Sequence, residues 1–340
     1  MPARPMVCFG ELLLRLGAPG HELLLQRPQL DVHVGGAEAN VAVALAHWGH
    51  RVRMVSRVSD NALGQAAAGV LRLHGVDTTA VQHADGRMGL YFLTTGAGHR
   101  PSQVIYDRAD STFARSMPQD FDWDALLEGA GWLHLSGVTP ALGASLATIA
   151  LQAARSARQR GIPVSFDGNF RPSLWERWQG DARGILHDLF AQATVLFADH
   201  RDMGVVLGGT YSGDDAGQQA RSAAEAAFKA FPNLQWMACT QREALSVGHH
   251  RLGALLMGCD GTVAQAPAMV LTGIVDRIGG GDAFAAGVLH GLRHGHDANE
   301  TIRFALAAGC LKHSIPGDFN PVSLADVTAL LGEGKFDVRR

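Results

Sequence analysis

Three consecutive glycines followed by an acid, Gly279-Gly280-Gly281-Asp282, form the part of this chain best equipped for chemistry. They lie in the stretch Asp276-Arg-Ile-Gly-Gly-Gly-Asp-Ala-Phe-Ala-Ala-Gly-Val-Leu289, whose Ala-rich end reads as a buried helix. Glycines at a helix entry let main-chain amides approach a ligand, and the unpaired N–H groups and dipole of the first turn favour an anion there. A carboxylate among such amides repels phosphate, so its presence needs a chemical reason. A general base supplies one: Asp282 takes a proton from an attacking hydroxyl while the amides hold charge on a transferred phosphoryl group. The plain alternative is an acid near a helix N-cap behind a flexible entry. Two common phosphate motifs are excluded. No Gly-x-x-x-x-Gly-Lys-Ser/Thr occurs, and Phe284 stands where a dinucleotide fingerprint needs its third glycine.

A second glycine-led helix start is Gly35-Gly36-Ala-Glu-Ala-Asn40, followed by Val41, Leu45 and Trp48 at near-helical spacing. By itself it also fits an ordinary loop-to-helix junction. Asp167-Gly-Asn-Phe-Arg171-Pro-Ser-Leu-Trp175 follows an expected strand, at the end where open α/β sheets hold ligands. Arg171 carries a planar fork suited to carboxylate or phosphate, and a surface arginine is the alternative. Tyr106 and Arg108 alternate onto one face of a strand, and Tyr91 joins them from a neighbouring one. Packing on the sheet face is the other account of these tyrosines.

Together these residues resemble the ribokinase-like (PfkB) sugar kinases. Asp276 to Asp282 with Ala283-Phe-Ala-Ala-Gly287 is similar to that family's second signature, with Gly280 replacing the usual alanine. By the resemblance Asp282 is the catalytic base and Gly279, Gly280 and Gly281 form the anion hole. Gly35, Gly36 and Asn40 match the first signature and would touch sugar hydroxyls. Gly-Gly-Ala-Glu-Ala-Asn, Tyr-Asp-Arg-Ala-Asp-Ser, His134-Leu-Ser-Gly-Val-Thr-Pro-Ala-Leu142 and Asp-x-Asn-Phe-Arg-x-x-Leu-Trp narrow the likeness to 2-keto-3-deoxygluconate kinases, from Phe9 to about Phe319. The resemblance then implies that Tyr91, Tyr106, Arg108 and Arg171 contact a sugar acid, and that Asp282 faces its terminal hydroxyl.

Some positions depart from the family pattern. Asp199-His-Arg-Asp202 replaces Asn-x-x-Glu, so Asp199 is expected beside the nucleotide and Asp202 to order Mg²⁺ through water. Thr240-Gln-Arg242-Glu-Ala replaces Lys-x-Gly-x-x-Gly, leaving Thr240 and Arg242 near the phosphates. Residues 244–275 and 305–318 are expected to supply the adenine pocket. The resemblance also links Asp276 to a monovalent cation, and helix capping accounts for it equally well. The implied cofactors are therefore ATP, Mg²⁺ and that cation.

The elements that must place these groups alternate in the manner of a parallel sheet. Strands are expected at Met6–Gly10, Val52–Val58, Trp132–Leu135, Pro163–Phe166, Thr194–Phe197 and Leu234–Cys239. Helices are expected at 61–74, 142–160, 180–192, 215–230, 281–294, 298–315 and 322–332, with several short β runs in 244–275. Alternating strands within 12–34 and 88–114 interrupt the pattern and read as a β lid of four or five strands. The expected fold class is α/β: one ribokinase-like, doubly wound domain over 1–340, with helices on both sheet faces and ligands at the strand C-termini.

Composition fits a soluble cytoplasmic enzyme. Of 340 residues, 47% are apolar and 18% charged, enough for a large core and unlike a disordered chain. A net charge of −3 gives nucleic acid or an anionic membrane no attraction. No run reaches the ~18 apolar residues of a membrane span, and no apolar signal core follows Arg4. Cys8, Cys239, Cys259 and Cys310 form no Cys-x-x-Cys and are read as free buried thiols. His290 and His294 stand at helical i, i+4 spacing and are taken as a surface pair, and His249-His250 as a turn. Ser136 lacks a nucleophile elbow.

The expected activity is ATP-dependent phosphorylation of 2-keto-3-deoxy-D-gluconate, in a homo-oligomer formed through the lid. The alternatives are a kinase of a neutral sugar such as ribose or fructose, and a non-catalytic sugar-acid sensor on the same fold.

Overall fold

The computed structural model describes residues 4–332. The strands are β1 Met6–Phe9, β2 Leu13–Gly17, β3 Asp31–Gly35, β4 Val52–Ser59, β5 Val81–Ala84, β6 Gly89–Thr94 and β7 Gln103–Asp107. They continue with β8 Trp132–Ser136, β9 Val164–Asp167, β10 Val195–Phe197, β11 Trp236–Ser246, β12 His249–Gly258 and β13 Val263–Thr272. The helices are α1 Ala37–His47, α2 Ala62–Leu73, α3 Trp123–Leu126, α4 Ala144–Gln159, α5 Pro172–Glu176 and α6 Ala182–Phe190. After them come α7 His200–Leu207, α8 Ala216–Ala230, α9 Gly280–His294, α10 Ala298–Lys312 and α11 Leu324–Leu331.

Nine strands form the main sheet in the order β13-β12-β11-β10-β9-β8-β1-β4-β5. It is parallel from β11 to β5, and the β11-β12-β13 pairings are antiparallel. The strand order reverses direction at β1, which pairs with β4 on one side and β8 on the other. At such a switch point the adjoining loops part and leave a crevice. Met6, Val7, Cys8 and Phe9 are all fully buried, as a strand covered on both faces requires. One apolar core, with Leu45, Val288 and Ile302, lies under α1, α9 and α10; a second, with Ile149, Leu186 and Phe190, lies under α4 and α6. In α9, a Cβ on Gly287 would come within 2.5 Å of Ala305 Cα, so the small residue lets α10 pack close.

The segments 12–34 and 88–114 supply a separate four-stranded sheet, β3-β2-β6-β7, as the sequence implied. Its β2–β6 pair is parallel and its outer pairs antiparallel. Other expectations need correction. Residues 244–275 are not short runs: β12 and β13 are ten residues each and pair with a β11 that extends to Ser246. His249 and His250 begin β12 rather than forming a turn. The helix α7 was not anticipated. Cys259 is exposed, while Cys8, Cys239 and Cys310 are buried. No helix among the described residues is long and apolar enough to cross a membrane.

Candidate active site

Where the strand C-termini of the main sheet face the lid, a cleft of about 920 Å³ opens. One of its walls is the start of α9. Gly279 is the N-cap, with φ of 81°, and a Cβ there would meet Asp318 O at 2.0 Å, so both backbone conformation and space demand glycine. Gly280 packs against the His313 ring, whereas a Cβ on Gly281 would meet nothing within 4 Å. Gly279 and Gly281 line the cleft. Gly280 N bonds the Arg277 carbonyl at 3.3 Å, and the remaining amides of a first helical turn, which lack a partner within the helix, suit an anion.

Asp282 stands in that turn and lines the cleft. Asn40 Nδ2, from α1, donates to its Oδ2 at 2.6 Å. Burial, joined by repulsion from Asp318, pushes the Asp282 carboxyl up to about 6, against the pull of the Asn40 bond and the charges of Arg171 and Lys312. Such a group is ionised at neutral pH yet basic enough to accept a proton. Gly36 lines the same wall, where a Cβ would meet Glu11 O at 2.1 Å, and Gly35 abuts Asp318.

The residues expected to face a sugar sit on the small sheet and on loops that line the cleft. Tyr91 and Tyr106 are register partners across β6 and β7, with ring centroids 6.3 Å apart. The Tyr91 hydroxyl donates to Asp318 Oδ2 at 2.6 Å, and the Arg108 guanidinium stands 5.9 Å from the Tyr106 ring centroid. Arg108 lines the cleft and is also paired within the protein. Its Nε and Nη2 both bond Glu11 Oε2, at 2.8 and 2.5 Å, so a protein carboxylate already answers its charge. Arg171, at the N-cap of α5, is exposed in the cleft and bonds only the Phe170 carbonyl. Among the described residues no carboxylate lies within ion-pair distance of it.

At the other end of the cleft, α7 begins with a capping box. Asp199 accepts from Arg201 N at 2.7 Å, and Asp202 Oδ2 accepts from Asp199 N at 2.9 Å. Asp199 also carries the Arg201 guanidinium, so its charge is locally matched. Thr240 and Arg242, on β11, line the cleft as expected. Arg201 and Arg277 line it too, and both lower the Arg242 pKa in addition to burial. Arg201 is paired with Asp199, and the positive charge of Arg242 and Arg277 beside it suits a polyanion. Opposite them are Asp202, pushed up to about 6, and Asp167, pushed up to about 8. Burial is the main cause for both, and neighbouring acids add to it. Carboxylates crowded in this way suit Mg²⁺, which binds through one or two acids, water and substrate phosphates.

Asp276 departs from expectation. Arg15 Nη2 bonds its Oδ2 at 2.6 Å, Gly317 N donates to the same oxygen, and Ile278 N donates to Oδ1. The Lys312 ammonium, fully buried, donates to the Asp276 carbonyl at 3.4 Å and to the Ile315 carbonyl at 3.0 Å. Two protein cations thus hold the groups that a monovalent cation would need, and the site does not fit one. The same Arg15 reaches Asp318 Oδ1 at 3.2 Å.

Sequence reasoning therefore missed Glu11, Arg15, Asp167, Arg201, Arg277, Lys312 and Asp318. It also missed Glu38, buried in the first turn of α1 and pushed up to about 7 by desolvation. Glu38 accepts from Ser136 N and Oγ and from Thr139 Oγ1, and so ties α1 to the end of β8. Asp167 and Glu38 stood inside motifs already singled out, and an acid within an apolar frame was the available signal.

The chain matches the model of the pfkB family carbohydrate kinases over residues 4–323. It is 31% identical over 335 residues to a 2-dehydro-3-deoxygalactonokinase of Haloferax volcanii, covering 98% of this chain and 99% of that one. It is 27% identical to a 2-dehydro-3-deoxygluconokinase of Bacillus subtilis, with 92% and 91% covered. The solved 2-dehydro-3-deoxygluconokinase of Thermotoga maritima superposes with a TM-score of 0.91 at 38% identity, over 96% of this chain and 99% of that one. On its cleft, its fold and this family match, the chain belongs to the pfkB family of carbohydrate kinases.

Proposed function

We propose that this carbohydrate kinase phosphorylates 2-keto-3-deoxy-D-gluconate on its terminal hydroxyl, giving 2-keto-3-deoxy-6-phosphogluconate, with ATP as donor and Mg²⁺ as metal. The observation that carries the reading is the position of Asp282. It joins α1 through Asn40 and stands in the first turn of α9, directly after Gly279 to Gly281. Support for an acidic substrate comes from Arg171, a cleft cation without a carboxylate partner, and from relatives named as kinases of 3-deoxy sugar acids.

In this mechanism Tyr106, Arg171 and Asn40 hold the sugar acid with its terminal hydroxyl against Asp282. The Asp282 carboxylate takes the hydroxyl proton as the oxygen attacks phosphorus. Amides of the α9 entry receive the charge on the transferring phosphoryl group, while Arg201, Arg242 and Arg277 hold the donor's phosphates. Asp167 and Asp202 would hold Mg²⁺, which when bound would supply neutralisation of phosphate charge. Alignment and electrostatics supply most of the acceleration. Closure of the β2-β3-β6-β7 lid excludes water and so limits ATP hydrolysis. The lid's exposed Val32, Val104 and Ile105 would be covered by a second copy in a homo-oligomer.

A coupled ADP-release assay tests the proposal. Both C4 epimers of the keto-deoxy acid, gluconate, ribose and fructose serve as acceptors. A keto-deoxy acid should give the highest kcat/KM; a preference for ribose or fructose would overturn the substrate assignment, and no turnover with any sugar would favour the sensor.

A further inference from the structure

The end of α9 farthest from Asp282 holds a histidine cluster that phosphoryl transfer does not use. His290 and His294 lie one turn apart on α9, and His50 reaches them from the turn between α1 and β4. His290 is not a surface residue: it is 4% exposed, stacked on Phe304 with centroids 4.7 Å apart and edge-on to Trp48. Its Nδ1 lies 2.9 Å from His50 Nε2. One ring nitrogen from each of the three histidines falls within 4.8 Å of the others.

We propose that His50, His290 and His294 form a binding site for a divalent transition metal of the Zn²⁺ class, separate from the Mg²⁺ of the reaction. Imidazole nitrogens bind such metals at about 2.0–2.1 Å, which places two ligands of a tetrahedral ion roughly 3.3 Å apart. The His50–His290 pair is already close to that spacing, and the exposed His294 closes the remainder by rotating. His294 Nδ1 faces the His290 carbonyl at 3.0 Å, a bond that places the proton on Nδ1 and leaves Nε2 as the ligand atom. Burial holds the His50 and His290 rings well below the ordinary histidine range, to about 4 and about 3, so both are neutral and able to ligate at pH 7. The exposed His296, its centroid 5.9 Å from those of His290 and His294, or a water completes the coordination. A bound ion would fasten the α1–β4 turn to α9. His294 is twelve residues from Asp282, about 18 Å along the helix at 1.5 Å per residue, so the ion would act on stability and leave the chemistry alone.

The test is a titration of metal-free protein with Zn²⁺ against a chromophoric chelator, paired with thermal melts with and without Zn²⁺. Wild type should bind one equivalent and melt several degrees higher with the ion. His50→Ala and His294→Gln should each weaken binding at least 30-fold and abolish the rise in Tm. Both lie outside the cleft, so both should keep wild-type kinase turnover, which shows that they fold. Failure of wild type to compete with the chelator would overturn the site. So would a His50→Ala protein that binds as tightly as wild type, since the α9 pair or unrelated histidines would then be the ligands.

Discussion

Asn40 Nδ2 donates to Asp282 Oδ2 at 2.6 Å, joining residues 242 positions apart and linking helix α1 to helix α9. The bond stabilises the ionised acid and opposes the burial that lifts its pKa. In wild type, kcat/KM should therefore fall about tenfold per unit below a pH near 6. Asn40→Ala removes the bond and raises the Asp282 pKa, so the acid limb should move to higher pH. A profile that keeps its inflection would separate Asn40 from the ionisation of Asp282.

The same lifted pKa has a consequence for stability. Asp282 ionises less readily in the folded chain than in the unfolded one, so its charge opposes folding above about pH 6. That cost disappears as pH falls through 6 toward the ordinary carboxylate range. Asp282→Asn should raise stability at pH 7.5 by up to about 2 kcal/mol, an upper figure because the group borders an open cleft. Melting the two proteins at pH 7.5 and pH 5 checks the sign: the gap should narrow at the lower pH.

Arg171 and Arg108 should behave differently although both line the cleft. Arg171 has no acidic partner, and truncating it removes a charge-assisted bond worth about 1.5–3 kcal/mol to a bound carboxylate. Arg171→Ala should raise KM for the sugar acid about 10- to 100-fold with a smaller change in kcat. Arg108→Ala leaves Glu11 buried without its counter-charge, so it should lose stability as well as activity. Urea unfolding alongside kinetics distinguishes the two.

Arg15 fastens Asp276, just before α9, to Asp318. It lies 3% exposed between Asp276 and Asp318, at 2.6 and 3.2 Å. Arg15→Met strands two buried carboxylates and should destabilise the protein by about 3–5 kcal/mol. The measurement is the shift of the urea midpoint at unchanged slope. Added K⁺ should not restore the variant, because a hydrated ion does not reproduce the guanidinium's hydrogen bond to Asp276 and its ion pair with Asp318.

What was legible in the sequence was what is local. Gly279 declares itself because a left-handed N-cap and a close main-chain contact with Asp318 leave room only for glycine. The lid was legible from strands that alternate where the rest are continuously apolar. Pairings over long separations were hidden. Tyr91 meets Asp318 across 227 positions and Arg15 meets Asp276 across 261, and nothing in either local sequence names the partner. For the same reason the pairing of Arg108 with Glu11, 97 positions away, could not be read from the sequence. Likewise, i, i+4 spacing showed that His290 and His294 share a face, and only the packing of Phe304 and Trp48 showed that His290 points inward. The length of β12 and β13 was obscured by glycines and by a register shift between Leu252 and Ala254.

The role of Asp282 is tested most directly by comparing wild type with Asp282→Asn in ADP release driven by 2-keto-3-deoxygluconate, with sugar affinity measured separately by calorimetry. Removing a general base should lower kcat by about 10³-fold while the sugar Kd stays within roughly threefold. Turnover within tenfold of wild type at pH 7.5 would contradict it.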